Sequence, residues 1–208
     1  MENDVKDFLS ELLKQLKSID YIKPEDIPNI DLYMDQVTTF MDEQLAASKR
    51  YESDKILTKT MINNYAKNNL LPSPDKKKYS KEHVLTLLFI YYFKNILSIN
   101  DIRSILNPLT EKYFGNDDGF TMQDVYTEVF SLEAEESQKL LKDLGKKYKI
   151  AGETFEDFPD EDQKFLHTFS FICMLSFDVY IKKMLIERMI DNLNEEKEDS
   201  SHKKTGSN

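Results

Sequence analysis

Apolar residues recur every three to four positions over much of the chain, which is the spacing of one face of a helix. This pattern predicts an amphipathic helix over residues 5–16 and a second over about 31–47. Pro24 and Pro28 lie between them, so this connector is expected to be extended.

Polar residues that cap helices mark the starts of the next elements. Thr58 is expected to cap a helix that ends near Asn69, and Ser80 one that ends near Leu97. Ser98 is expected to begin a further, short helix through a capping box.

Pro108, Gly115 and Gly119 then predict a break and a subdomain boundary. Beyond this break, Thr121 is expected to begin one helix and Ser131 a separate one.

A long apolar segment occupies about 160–193, and a charged, Ser-rich tail over 195–208 is expected to be disordered. Asp178, Lys182 and Lys183 interrupt the apolar run, which argues against a membrane span. A buried core helix and a helix that completes a homodimer interface remain as interpretations, with the lining of a ligand pocket as a minor one.

With only five Gly and six Pro in 208 residues, the chain has little punctuation for many short strands, so we predict an all-α, mainly helical fold. The sequence predicts four segments. An N-terminal helix with its connector occupies 1–27, and a central domain occupies 28–107. A C-terminal helical region occupies 108–194, and the tail occupies 195–208.

Charge is unevenly spread along the chain. The formal net charge is −10, but residues 49–106 hold eleven Lys or Arg and five Asp or Glu, a net +6, which leaves −16 for the rest. A basic stretch inside an acidic chain is often only a solvated surface. Such a stretch also produces the local positive potential that attracts a phosphate-bearing partner.

The helix predicted over 58–69 has two unlike faces. Thr60, Asn63, Asn64 and Lys67 recur at i, i+3, i+4 and i+7, opposite Met61, Ile62 and Tyr65. Asn pairs with adenine, Thr contacts base edges, and Lys suits phosphate or guanine. A helix of this size fits the major groove of B-DNA, so this face is a candidate DNA-reading surface.

The order Tyr65, Leu70-Leu71-Pro72, a basic run, Tyr79-Ser80 and a Ser-initiated helix at Ser98 resembles the DNA-binding domain of MerR-type regulators, a winged helix-turn-helix. The stretch 28–106 is still more similar to domain-of-unknown-function family 1836, a mostly Gram-positive bacterial family usually described as MerR-like. The resemblance implies transcriptional regulation, with a recognition helix and a short basic wing.

The resemblance and the helix pattern together nominate the DNA-binding residues, which are Lys59, Thr60, Asn63, Asn64, Lys67, Lys76, Lys77, Lys78 and Tyr79. Two positions depart from the MerR pattern, because Asn63 stands where Arg is usual and Asn64 where Tyr is usual. Asn69 replaces the usual Gly before Leu-Leu-Pro; Asn is the next best residue for a left-handed helix end.

Catalysis finds little support in the sequence, and we expect no enzyme, cofactor or metal site. Of the three histidines, His167 lies in the apolar segment and is expected to be satisfied within the fold. Cys173 is the single cysteine and is expected to be buried and inert. The stretch 116–119 does not fit a calcium loop, because Phe114 would take the first ligand position. One cysteine and an acidic, polar N-terminus predict a cytoplasmic location.

The leading expectation is therefore a DNA-binding transcriptional regulator that acts as a homodimer on double-stranded DNA, with no membrane partner. An effector, small molecule or protein, is not identified by any motif. The alternative is a non-catalytic adaptor that binds protein partners on a degenerate helix-turn-helix scaffold.

Overall fold

The computed structural model describes residues 21–116 and 119–205, and in these ranges the chain is mainly helical, as predicted. The helices are α1 (Met34–Gln44), α2 (Lys59–Lys67), α3 (Lys81–Phe93), α4 (Ile99–Tyr113), α5 (Met122–Gly152) and α6 (Asp160–Thr205). Short 3-10 helices occupy Pro24–Asp26 and Ala46–Ser48. The helix predicted over residues 5–16 and part of the loop 116–119 lie outside the described residues.

Two short strands, β1 (Leu32–Tyr33) and β2 (Lys78–Tyr79), pair antiparallel with Leu32 opposite Tyr79 and Tyr33 opposite Lys78. They join the entry of α1 to the segment before α3. The sequence pattern did not predict them, because two residues are too few to show strand periodicity.

The chain divides into two compact units. One contains Tyr21–Phe130 together with residues 186–205, and the other contains Ser131–Leu185 among its described residues. The boundary predicted at residues 107–108 falls inside α4, and Leu106 and Tyr126 are both buried in the core of the first unit.

The core of the first unit is built around α3. Every residue from His83 to Tyr91 is buried, and all but His83 and Thr86 are hydrophobic, so this part of the helix is surrounded by other elements. Tyr126 is fully buried and donates a hydrogen bond from its hydroxyl to the Ile22 carbonyl at 2.9 Å, which satisfies its polar end.

The helix starts predicted at Thr58, Ser98 and Thr121 are confirmed. The Thr58 hydroxyl accepts the Met61 N–H at 3.2 Å. Ser98 and Asp101 form a reciprocal capping box, and the Thr121 hydroxyl accepts the Asp124 N–H at 3.2 Å. These bonds satisfy amide donors that the first turn of a helix leaves without partners.

Helix α4 continues through Pro108, contrary to the predicted break. Proline cannot donate a hydrogen bond to the carbonyl four residues earlier, which here belongs to Ser104. The Lys197 ammonium donates to that carbonyl at 2.9 Å. The acceptor orphaned by proline is thus satisfied from a distant part of the same unit.

Two further helix predictions are wrong. Ser131 does not begin a new helix, because α5 runs unbroken from Met122 to Gly152. Its first Gly or Pro is Gly145, so no helix-breaking residue lies near Ser131. The tail predicted to be disordered is helical through Thr205, since α6 also meets no Gly or Pro before Gly206.

The interpretation of α6 as a buried core helix is also wrong. Within Ser131–Leu185, Phe169, Phe177, Tyr180 and Met184 are exposed by half or more. Cys173 is exposed as well, contrary to prediction. His167 is satisfied as expected, since its Nε2 lies 2.8 Å from the Thr154 carbonyl.

Among the described helices, none combines the length and the apolar character that crossing a membrane requires. The same residues contain no group of three or more His, Cys, Asp or Glu side chains placed to hold a metal ion.

Candidate nucleic-acid interface

Helix α2 presents the polar face that its sequence predicts. Ile62 and Tyr65 are buried against the core, and Met61 is half-buried. The nominated side chains on the opposite face are all exposed: Lys59, Thr60, Asn63, Asn64 and Lys67. This exposed face contains no carboxylate and no apolar side chain from α2, so it is available to a polar, anionic surface.

A Schellman motif ends α2 at the expected position. Asn69 is left-handed, with φ of 55°. The Leu70 N–H donates to the Tyr65 carbonyl at 2.9 Å and the Asn69 N–H to the Ala66 carbonyl at 3.2 Å. Buried Leu70 and Leu71 then fix the exit of the chain, which holds α2 in place from both ends.

The basic run forms a tight turn after Pro74. The Lys78 N–H donates to the Asp75 carbonyl at 2.8 Å, and Asp75 and Lys78 form a β-bridge. Lys76 and Lys77 have φ of 46° and 67°, the positive values that both central residues of a type I′ turn require. Asn and Gly are the usual residues there, so two lysines at the tip are held in a conformation that disfavours them.

All three nominated lysines of the turn are exposed, but Tyr79 is not. Its side chain is 3% exposed and packs edge-on against His83 at 5.5 Å between ring centroids, and burial raises its pKa. The nomination of Tyr79 as a DNA-contacting residue is therefore corrected: it is a core residue that anchors the base of the turn.

The entry of α1 brings the turn and α2 to one edge of the unit. Lys59 of α2 forms an ion pair with Asp35. Two residues before Asp35, the Tyr33 ring lies 5.6 Å from the Lys78 ammonium. The segment Tyr33–Asp35 is thus flanked by the first residue of α2 on one side and by the basic turn on the other.

Comparison with known proteins gives one family. The model of the family described as domain of unknown function (DUF1836) matches residues 22–129, which is 108 of 208 residues. The chain belongs to the DUF1836 family. No curated protein and no solved structure matches the chain.

The DUF1836 match covers nearly the same residues as the continuous part of the first compact unit, Tyr21–Phe130. Both the α2 face and the basic turn lie within it. The family domain is therefore the part of the chain that carries the candidate interface.

Asp35 limits the charge of this DUF1836 surface, because its ion pair offsets Lys59. Among the described residues, no carboxylate lies within ion-pair distance of Lys67, Lys76, Lys77 or Lys78. The uncompensated positive charge is therefore concentrated at the far end of α2 and at the turn.

Sequence reasoning missed Tyr33 and Asp35 as parts of this surface. Tyr33 is 54% exposed, and Gln36 caps its backbone N–H at 2.8 Å, so the aromatic ring is held at the edge. The sequence shows only a Tyr and an Asp near the start of a predicted helix, and this by itself indicates nothing about DNA.

Proposed function

We propose that the DUF1836 domain of this chain binds double-stranded DNA, as a helix-turn-helix domain of MerR type whose recognition helix is α2. The observation that carries the proposal is the exposed polar face of α2, free of carboxylates, on the same edge as a turn of three exposed lysines.

Asn63 and Asn64 are the base-reading candidates. Their side chains carry both a donor and an acceptor, which matches the edge of adenine in the major groove. With nine residues, α2 is about 13 Å long, and this length fits along the floor of the groove. Thr60 and Lys67 flank the two asparagines on the same face.

Lys76, Lys77 and Lys78 are assigned to the phosphate backbone. A type I′ turn projects its two central side chains from the tip, where they reach a strand of DNA without entering the groove. Contacts of this kind position a protein on the duplex and carry no sequence information of their own.

We further propose that the regulator acts as a homodimer through α6. Phe169, Cys173, Phe177, Tyr180 and Met184 recur at spacings of four, four, three and four, which places them on one stripe of the helix. All five are exposed. An apolar stripe of this length needs a partner, and a second copy supplies an identical one. Two copies would present two recognition helices to an inverted-repeat site.

The same stripe is the observation that favours the adaptor, because it would also accept an apolar helix of another protein. The asparagines at the two MerR positions favour the adaptor too. A measurement of DNA binding distinguishes the two functions, since only the regulator requires base recognition by α2.

Selection of genomic fragments bound by the purified full chain tests the proposal. We expect enrichment of fragments that share an inverted repeat, and loss of that enrichment in Asn63→Ala/Asn64→Ala. The matched control is Asn100→Ala/Asn107→Ala on α4, which should enrich the same fragments as wild type. Equal recovery of all fragments by wild type and both variants would exclude sequence recognition by α2.

A further inference from the structure

A cavity of about 370 Å³ lies on the DUF1836 domain, between the loop that follows α1 and the end of α3. Its basic lining residues are Lys49, Arg50, Lys55 and Lys94. Tyr91 and Ser48 add two hydroxyls, which are hydrogen-bonded to each other. None of these residues belongs to the nominated DNA surface.

Lys94 is a partly buried charge in the lining of this cavity. It is half-buried, its ammonium donates to the Ile56 carbonyl at 2.8 Å, and it lies 5.1 Å from the centre of the Tyr91 ring. Among the described residues, no carboxylate lies within ion-pair distance of it. A partly desolvated cation without a counter-charge is costly, and burial accordingly lowers the pKa of Lys94.

The other charges leave the cavity positive. Lys49 is paired with Asp42 at 2.7 Å, and the Asp54 carboxylate at the lining accepts the Tyr51 N–H at 3.0 Å. Four cations against these two carboxylates give a net charge of 4 − 2 = +2. Arg50 and Lys55 are exposed at the surface of the cavity, so they can approach a ligand that Lys94 holds from within.

We propose that this cavity binds a small phosphorylated molecule. The phosphate oxygens would accept hydrogen bonds from Lys94, Arg50 and Lys55, and the hydroxyl pair of Ser48 and Tyr91 would face the same group. A volume of about 370 Å³ is within the range of small-ligand sites and exceeds what one phosphate fills.

A phosphate of the DNA backbone has the same chemistry, so the two sources must be distinguished. The cavity favours the free ligand, because Lys94 lies half-buried in a concave site, whereas the lysines of the basic turn are exposed at a tip. The proposal does not depend on DNA binding and is tested without DNA.

Calorimetric titration of the full chain with inorganic pyrophosphate, at constant ionic strength, is the test. We expect one site per chain with a dissociation constant below about 1 mM, and at least about tenfold weaker binding in Arg50→Gln/Lys55→Gln. Both side chains are exposed, so this variant should fold normally. The control Lys142→Gln/Lys146→Gln removes the same charge at two exposed positions outside the cavity and the nominated DNA surface, and it should bind as wild type does.

Absence of binding by wild type would overturn the proposal, and so would equal weakening in both variants, which would show non-specific attraction to basic surface. A third arm titrates a random duplex into the same proteins. Binding of the duplex through Arg50 and Lys55, without binding of pyrophosphate, would assign the cavity to the DNA backbone and overturn the free ligand. Pyrophosphate binding without DNA binding would support this inference while contradicting the proposed regulator.

Discussion

Single residues in left-handed conformations shape both ends of the candidate interface. Asn69 ends α2, and Lys76 and Lys77 form the tip of the turn. Asn is a tolerated choice for this conformation, whereas Lys costs about 1 kcal/mol or more at each position. Asn69 therefore suits the fold, whereas Lys76 and Lys77 keep positive charge exposed at the tip at a cost in stability.

Replacing the two tip lysines should therefore separate stability from binding. In Lys76→Asn/Lys77→Gly the turn gains its preferred residues, and we expect the free energy of unfolding to rise by about 1–2 kcal/mol in urea titrations. If the proposed phosphate contacts of Lys76 and Lys77 exist, DNA affinity should fall in the same variant because both are removed. An unchanged or lower stability would show that the lysines are not strained.

Asn69 offers a simpler comparison at the end of α2. Asn69→Gly should be as stable as wild type or slightly more stable, and Asn69→Ala should lose about 1 kcal/mol, because only alanine is penalised at φ of 55°. Urea denaturation of the three proteins measures this order. An alanine variant more stable than the glycine variant would contradict the assigned conformation.

His83 connects residue chemistry to the stability of the turn. It is 5% exposed, and its Nδ1 accepts the Ser80 N–H at 3.0 Å. Burial lowers its pKa below the ordinary value, against the weaker opposing effects of the Ser73 backbone and Asp31. Folding therefore favours the neutral form of this ring.

The sign of the resulting pH dependence follows from that direction. As pH falls through about 6.5, the ordinary histidine pKa, the unfolded chain binds this proton more readily than the folded chain, so stability is lost until the folded ring is protonated as well. We expect wild type to lose more unfolding free energy between pH 7 and pH 5 than His83→Gln, whose amide oxygen can still accept the Ser80 N–H. Parallel pH profiles for the two proteins would contradict this role.

At the scale of elements, caps were predictable and helix lengths were not. Thr58, Ser98 and Thr121 act locally, so short sequence spacing reveals them. The Ser104 carbonyl, which Pro108 leaves without its helical donor, is satisfied by Lys197, 89 positions from Pro108 in sequence, and no local pattern reports such a contact. The edge at Tyr33 was hidden for the same reason, and the two-residue strands were too short to show strand periodicity.

A double-mutant cycle tests the contact between Lys197 and α4. Lys197→Met should cost about 0.5–1.5 kcal/mol in wild type, because the Ser104 carbonyl loses its donor. In a Pro108→Ala background the new amide should take over this carbonyl, and the same substitution should cost less. Equal costs in the two backgrounds would show that the lysine does not compensate for proline.

At the scale of the whole molecule, the sequence located the basic segment but mistook the surroundings of α6. The correct prediction and the wrong one each have a physical reason. Exposed lysines and buried Ile62 and Tyr65 follow from helical periodicity, which is local. Whether an apolar helix finds its partner within one chain or in another molecule depends on tertiary packing, which periodicity does not encode.

The exposed stripe of α6 predicts the state of the protein in solution. Light scattering should give the mass of a dimer for wild type, and that of a monomer for Phe177→Glu/Tyr180→Glu, because buried carboxylates would oppose association. The matched control Ile150→Glu changes another exposed apolar residue of the same unit and should remain a dimer. A monomeric wild type at micromolar concentration would contradict the homodimer.

The most direct test of the account is the salt dependence of DNA binding. Affinity for a random duplex should fall steeply with salt in wild type, with a log–log slope of about −0.9 per phosphate neutralised. The slope should flatten in Lys76→Glu/Lys77→Glu/Lys78→Glu and stay unchanged in the charge-matched control Lys142→Glu/Lys146→Glu/Lys164→Glu. Absence of salt-sensitive DNA binding by wild type, or equal losses in both triple variants, would contradict DNA binding by this surface.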